Sequence, residues 1–398
     1  MEKLAGMHEE ILQFTQELVK IPTENPPGRY YKECIEIINK KLQEFNLATK
    51  IIKVKKSDGS SYPRYCLIAS YGKGEKTIYF HGHYDVVPAV HKSQFTPQVY
   101  QEKLFGRGAS DMKGGLVAMI YAVRILQCCE VKLDGRICLV IVPDEETGGT
   151  YGTKYLFNKG FIKKNSGVAM FMPEPTSGAI WNACRGALSL LLRVKGKAVH
   201  VTLQHQGINA FEKMIHVANA LLKLKAKVEK RKTSFNVGPG KSKNSILMLG
   251  GSCRCGTNFN IVPGECSLTV ERRINPEEDF NKEKATLFNL LSTFQKKGID
   301  LEIEILQEGE SAGIASNHDV TKVLVDSVKT FTGSMPPFRM CPGLLEIRFY
   351  IKNGIPAFAY GPGLLSVSHG PDEFITIQNI YNCAAVYALT AGRLLSKV

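Results

Sequence analysis

Apolar and polar positions along the chain follow two rhythms. Short, nearly continuous apolar runs occur at residues 76–80 (KTIYF), 136–142 (RICLVIV) and 168–172 (VAMFM). Strands buried on both faces of a parallel sheet read this way. Residues 116–126 instead carry apolar side chains at helical spacing, with Gly114 and Gly115 at the start. Residues 357–360 repeat the strand pattern and lead into Gly361-Pro362-Gly363. Strands alternating with helices predict an α/β sheet.

The middle of the chain differs. Residues 187–194, 245–249, 265–272 and 301–306 read as strands, and 209–224 and 279–297 as helices. That order is β-α-β-β-α-β, the ferredoxin-like split unit. The predicted fold class is therefore α/β, a mixed, mostly parallel sheet with an inserted ferredoxin-like α+β domain. Residues 1–184 and 311–398 would form the first domain and 185–310 the insert.

Composition narrows the class further. The chain has 398 residues, 44% apolar and 22% charged, which excludes disordered, collagenous and coiled-coil chains. No apolar run approaches the roughly 20 residues that a bilayer-spanning helix needs. In the opening MEKLAGMHEEILQFTQELVK, acidic residues interrupt the apolar ones at helical spacing, so a surface helix is predicted rather than a signal peptide. A cytoplasmic location is the resulting default. The 11 cysteines show no C-x-x-C pair, and reduced, mostly buried thiols are expected. The net charge is +14, and its densest run is 223–232 (KLKAKVEKRK). Neither aromatic nor glycine-rich elements accompany that run, so a solvated helix end is expected and no nucleic-acid partner.

The chemistry gathers where the predicted strands end. After residues 76–80 come His81, His83 and Asp85; before the helix comes Asp111; after 136–142 come Glu145 and Glu146; after 168–172 comes Glu174; after the last strand comes His369. Open α/β sheets bind ligands at the carboxyl ends of their strands. Imidazoles mixed with carboxylates suit zinc, or manganese or cobalt at a similar site. Two His and three carboxylates are a sensible set for a pair of metals, with one further carboxylate free to act as base.

With IPTENPPG at 21–28, HGHYDVVP, GRGASDMKGG, PDEETGG, PEP, GKAVH, GINA, NIVP and the late GPG, the sequence resembles the dinuclear zinc amidohydrolases and peptidases. That family includes acetylornithine deacetylase, succinyl-diaminopimelate desuccinylase, aminoacylase and glutamate carboxypeptidase. The resemblance implies two divalent metal ions, held by His83 and Glu174 on one side and Glu146 and His369 on the other, with Asp111 bridging. It implies that Asp85 orients His83, that Glu145 is the general base for a hydroxide shared by the metals, and that His200 of a partner protomer steadies the oxyanion. It implies substrate contacts from Asn260, Arg273 (or Arg272, if the register is off by one) and Arg348. It also implies that the insert serves as a dimerisation lid in a homodimer.

The implied reaction is hydrolysis of an amide bond in an N-acyl amino acid or related N-acylated amine. Glu174 leans toward a deacylase, because related peptidases more often carry Asp there. The alternative is an exopeptidase or dipeptidase on short peptides; a non-catalytic binding protein is disfavoured by the intact base and ligands. The family's small polar residue and Asp before the last strand are replaced by Leu345 and Glu346, which predicts an apolar pocket wall. His81 would share a strand face with His83, though the family pattern favours His83 as ligand.

Overall fold

The computed structural model describes residues 5–54, 62–238 and 240–396. The chain divides into two compact units: 1–182, 314–339 and 346–398 form the main unit, and 183–313 with 340–345 the inserted one. The segment 340–345 thus groups with the insert rather than with the flanking sequence.

The main unit begins with α1 (His8–Val19) and α2 (Tyr31–Glu44). Ile11, Phe14, Thr15 and Leu18 of α1 are buried, which is the i, i+3, i+4, i+7 stripe of an amphipathic helix. Strands β1 (Ala48–Val54), β2 (Arg64–Lys73) and β3 (Thr77–His83) follow, then β4 (Gln98–Tyr100) and β5 (Lys103–Phe105). Next come α3 (Gly114–Cys128), β6 (Gly135–Val142), α4 (Thr153–Asn158), β7 (Gly167–Met172) and β8 (Ile180–Cys184). The chain crosses into the inserted unit within β8. There it forms β9 (Gly186–Lys195), α5 (Ala210–Val228), β10 (Ile246–Cys255), β11 (Glu265–Ile274), α6 (Phe280–Lys296), β12 (Asp300–Gly309) and β13 (Ala312–Gly313). It closes with α7 (Asp319–Thr332), β14 (Phe338–Cys341), α8 (Ile347–Lys352), β15 (Ala357–Ala359), β16 (Phe374–Thr376) and α9 (Ile377–Leu395).

The central sheet runs β1-β2-β6-β3-β7-β15-β8. Strands β6, β3, β7 and β15 are mutually parallel, while β1 and β2 add antiparallel edges. Every residue of β3 is buried, as expected for a strand covered on both faces. Helix α3 packs against α9, which in turn packs against α7. Gly115 is needed at the start of α3, because a Cβ there would collide with the Pro173 carbonyl oxygen. That contact lets the helix end lie beside the end of β7.

The inserted unit has its own antiparallel sheet, ordered β10-β11-β9-β12. Its strands Leu188, Leu190, Leu192 and Val194 share a core with Met214, Val217 and Leu221 of α5 and Leu287 and Leu291 of α6. Asn209 caps α5 by accepting from the Phe211 and Glu212 amides, and Asp279 caps α6 by accepting from Lys282. The lysine run lies at the end of α5, where Lys225 pairs with Glu229 and donates to Leu247 O at 3.0 Å. Strand β10 runs well past the predicted 245–249. A register shift between Leu249 and Cys253 admits an extra stretch of chain, and such a bulge hides the alternation that marks a strand.

Candidate metal centre

Three strand ends and two loops of the main unit converge. His83 closes β3, Asp111 precedes α3, Glu145 and Glu146 follow β6, Glu174 follows β7, and His369 lies in the loop between β15 and β16. His83 Nε2 is 3.3 Å from Asp111 Oδ1 and 3.6 Å from Glu174 Oε1. His369 Nε2 is 3.2 Å from Asp111 Oδ2 and 3.3 Å from Glu146 Oε1. Within each triad the ligating atoms lie within 4.8 Å of one another. The two oxygens of Asp111 therefore serve one triad each.

The donor set fits divalent cations. His83 Nε2, Glu146 Oε1 and Glu174 Oε1 are buried with no hydrogen-bond partner. Leaving one such group unpaired costs about 1–3 kcal/mol, so three lone pairs in one cluster call for a cation. Electrostatics agree. Burial, then the charge of Glu174, pushes the Glu145 carboxyl well up. Burial, then the charge of Asp111, does the same to Glu174. Glu146 is raised by burial against the opposing pull of the facing His369 ring. Burial also works against Asp111, but the facing His369 and His83 rings hold it below the usual carboxylate range. His369, facing the Asp111 and Glu146 carboxylates, is pushed up to about 11. Four acidic groups packed this closely repel, and positive charge at each triad relieves them.

The frame around the ligands is buried and polar. His83 Nδ1 lies 3.0 Å from Asp85 O and 3.3 Å from Asp85 Oδ1, which orients the ring with Nε2 toward the triad. The same Asp85 carboxylate accepts from the amides of Glu145 and Glu146, each at 3.2 Å. It also accepts from Asn25 Nδ2 at 2.7 Å. One carboxylate thus ties the orienting contact of His83 to the loop bearing Glu145. On the far side, Arg107 and Glu373 form a buried pair at 2.6 Å. Glu373 Oε1 accepts from the Ser110 and Asp111 amides at 3.0 and 3.1 Å. Arg107 donates to His369 O at 3.2 Å and so helps hold His369 at φ 65°, a conformation that costs about 1–3 kcal/mol for a residue with a side chain.

The motif reading overlooked the parts played by Asn25, Arg107 and Glu373. Their signal was faint: an Asn in a proline-rich loop, an Arg between two glycines, and a Glu shortly after His369. Only their burial gives them away.

The expected pocket wall is corrected. Leu345 is 2% and Glu346 0% exposed. Glu346 Oε2 lies 2.6 Å from His81 Nε2, and Thr153 Oγ1 donates to Glu346 Oε1 at 2.7 Å. The substitution of Glu for Asp is thus matched by His81 rather than by a substrate. Glu346 also fixes the turn after Glu146. A Cβ at Gly149, whose φ is +69°, would strike its carboxylate. Arg348, predicted at the substrate, is 3% exposed and donates to Gly148 O at 2.8 Å.

In the inserted unit, His200 is exposed and its Nδ1 lies 2.8 Å from Thr202 Oγ1. It pairs in a β-bridge with Ile261, and Val201 N donates to Asn260 O at 2.9 Å. Arg273 Nε is 2.6 Å from Glu271 Oε1. Its neighbour Arg272 is 1% exposed and bonds Glu278 and Glu283 at 2.7 and 2.9 Å, so it is a structural ion pair.

A mostly parallel sheet whose strand ends carry two His-carboxylate triads sharing one aspartate defines a two-metal hydrolase. A profile of the peptidase family M20/M25/M40 matches residues 79–393. The chain belongs to that family, whose members hydrolyse amide bonds. It is 27% identical over 92% of each chain to a Staphylococcus epidermidis protein named probable succinyl-diaminopimelate desuccinylase. The fold matches that of the dipeptidase Dug1p from Saccharomyces cerevisiae with TM-score 0.79, at 13% identity over 98% of each chain. It matches YXEP of Bacillus subtilis, described as a dinuclear metal binding peptidase, with TM-score 0.67, at 14% identity over 99% and 100%.

Proposed function

We propose that this amide hydrolase removes the acyl group from an N-acyl amino acid or related N-acylated amine, with Glu145 as general base. The observation that carries the assignment is that Glu145 adjoins the ligand Glu146 yet belongs to neither triad. Its amide is tied to Asp85, and burial raises its carboxyl well above the ordinary glutamate value, the direction a proton-accepting and proton-returning base requires. Glu145 receives a proton from the attacking water and delivers it to the departing amine nitrogen. Zinc suits the donors best, with cobalt or manganese as alternatives; bound there, two such ions polarise the carbonyl and acidify water. His83 and Glu174 would hold one ion, Glu146 and His369 the other, and Asp111 both.

His200 is the proposed donor to the developing oxyanion, acting from a partner protomer. Its exposure and the engagement of Nδ1 by Thr202 leave Nε2 for that role. Asn260 and Arg273 are the proposed substrate anchors, whereas the burial of Arg348 favours a role in positioning the Gly148 turn. A homodimer through the inserted unit is supported by Phe211, Ile215 and Leu222, exposed on α5. Among the described residues, no helix is long and apolar enough to cross a membrane. The eleven cysteines are thiols rather than disulfides, which favours a reducing, cytoplasmic setting.

The desuccinylase relative favours deacylation. The second reading, a dipeptidase, has the likeness to Dug1p behind it, which extends to the fold. The test is hydrolysis of a panel of N-acyl amino acids and dipeptides with zinc, cobalt or manganese, beside Glu145→Ala. The variant should bind metal normally and lose about 10²–10⁴-fold in kcat. Turnover that requires a free α-amino group would favour the peptidase. Full activity in Glu145→Ala would remove that residue as base, and a chain that binds no metal would overturn the ligand set.

A further inference from the structure

Three thiols gather on the sheet of the inserted unit. Cys253 and Cys255 lie two residues apart on β10, so they share a face of the sheet. Both are exposed. Cys255 pairs directly with Cys266 of β11, and Cys253 with Leu268. Cys266 is 1% exposed and belongs to the core of the unit.

The hydrogen bonding defines how close the paired cysteines come. Gly256 N donates to Glu265 O at 3.1 Å. That bond joins the residue after Cys255 to the residue before Cys266, which makes Cys255–Cys266 a non-hydrogen-bonded pair of the antiparallel ladder. Such pairs hold their Cα atoms about 4.5 Å apart, inside the roughly 4.4–6.8 Å that a disulfide spans. Cys253 is the poorer partner for Cys255, being displaced along the strand rather than across it. The Cys266 thiol is pushed up to about 12 by burial and by its contact with Cys255, so the exposed Cys255 is the thiol that meets an oxidant first.

The pair closes a functional loop. Residues 256–264 connect β10 to β11 and carry Asn260. They are zipped onto the segment before α5 by Gly196 N to Gly264 O at 2.8 Å, Val262 N to Val199 O at 2.8 Å and Val201 N to Asn260 O at 2.9 Å. Phe259 in this loop is 95% exposed. The base of the hairpin is therefore one cross-strand thiol pair away from being locked.

We infer that Cys255 and Cys266 are a reversible oxidation site, taking a hydroperoxide as oxidant and forming a cross-strand disulfide that clamps the Asn260 loop. The Cys255 sulfur attacks the peroxide. The O–O bond breaks, one oxygen becomes a sulfenic acid, and the other leaves as water or an alcohol with the thiol proton. The Cys266 sulfur then attacks the sulfenic sulfur. The S–S bond forms, the S–O bond breaks, and the oxygen leaves as water with the second thiol proton. Two thiols supply the two electrons that the peroxide accepts. The effect on hydrolysis rests on the proposed roles of Asn260 and His200; the thiol chemistry does not.

The test uses the reduced full-length chain treated with hydrogen peroxide, alkylated, and digested with trypsin without reductant. Cleavage after Arg254 leaves Cys255 and Cys266 in one peptide and separates Cys253. The expected product is that peptide, unalkylated and lighter by about 2 Da, restored to two alkylated thiols by dithiothreitol. Cys255→Ser, an exposed change that spares the fold, should abolish it. Both thiols alkylated after peroxide, a Cys253–Cys255 cross-link, or only irreversible sulfonic acids would each overturn the site. In parallel, kcat/KM should fall on oxidation of wild type, recover on reduction, and stay unchanged by peroxide in Cys255→Ser. A disulfide with unaltered kcat/KM would overturn the clamp. If Asn260→Ala hydrolyses like wild type, the anchor reading of Asn260 fails, while the mass of the peptide still judges the thiol site.

Discussion

Around the candidate metal centre of the main unit, the triad residues and their supports are held from behind. Asp85 bonds His83 and the amides of Glu145 and Glu146, Glu373 bonds the Asp111 amide, and Arg107 holds the His369 carbonyl. In the inserted unit the side chain of His200 is exposed and its Nδ1 meets Thr202, and residues 256–259 beside Asn260 are exposed. The contrast separates two jobs. Charged ligands that repel one another must be fixed before a cation arrives, so they need a rigid, water-poor frame. The proposed donor to the oxyanion, His200, would have to meet substrate, and its exposure suits that role.

The comparison breaks first, and by most, at the Arg107–Glu373 pair. Glu373→Ala leaves Arg107 buried without its carboxylate and should cost about 3–5 kcal/mol of stability. Denaturant unfolding and metal content by mass spectrometry read this out together, and an unchanged midpoint with full metal would mean the pair does not hold the Asp111 loop. His200→Ala should do the reverse. It should lower kcat by about 10²–10³-fold, while a surface change moves stability by no more than about 0.5 kcal/mol. A destabilised His200→Ala with normal turnover would count against the division of labour.

Metal sharpens the contrast. Ions present at about 100 times their Kd should stabilise the chain by about 2.7 kcal/mol. A chelator should remove that increment along with activity, and a thermal scan with and without it measures both. The smallest effect is on pH. Burial works against the Glu278 carboxylate, but bonds from Ser245, the Asn275 amide and Arg231, with the charge of Arg272, hold it below the usual range. A carboxyl depressed by folding stabilises above its unfolded value of about 4.3 and loses that contribution as pH falls through its folded value. Acid titration of wild type should therefore show a stability loss below about pH 4.3 that is weaker in Glu278→Gln. Identical acid slopes would mean that Glu278 carries no such linkage.

The strands around the site were legible because each is a short apolar run with its polar residues stacked at one end. Periodicity is local, and β3, β6 and β7 differ from their predicted bounds by a few residues at most. The inserted β-α-β-β-α-β order was legible for the same reason, and its sheet takes the β10-β11-β9-β12 arrangement. The far half of β10 was not, because Gly250, Gly251 and the bulge erase the alternation. The triads themselves, His83-Asp111-Glu174 and Asp111-Glu146-His369, bring together residues named beforehand as ligands.

What sequence alone determined was therefore the kind of side chain standing at each strand end, since local pattern and residue type decide both. What only the tertiary structure decided was which distant charges neutralise one another. Glu346 reads as a pocket residue until His81 is found 2.6 Å away, and nothing local marks Arg107 as half of a buried ion pair until Glu373 meets it. Two charges survive burial only as partners, and partners 265 or 266 positions apart in the chain leave no mark on any local pattern.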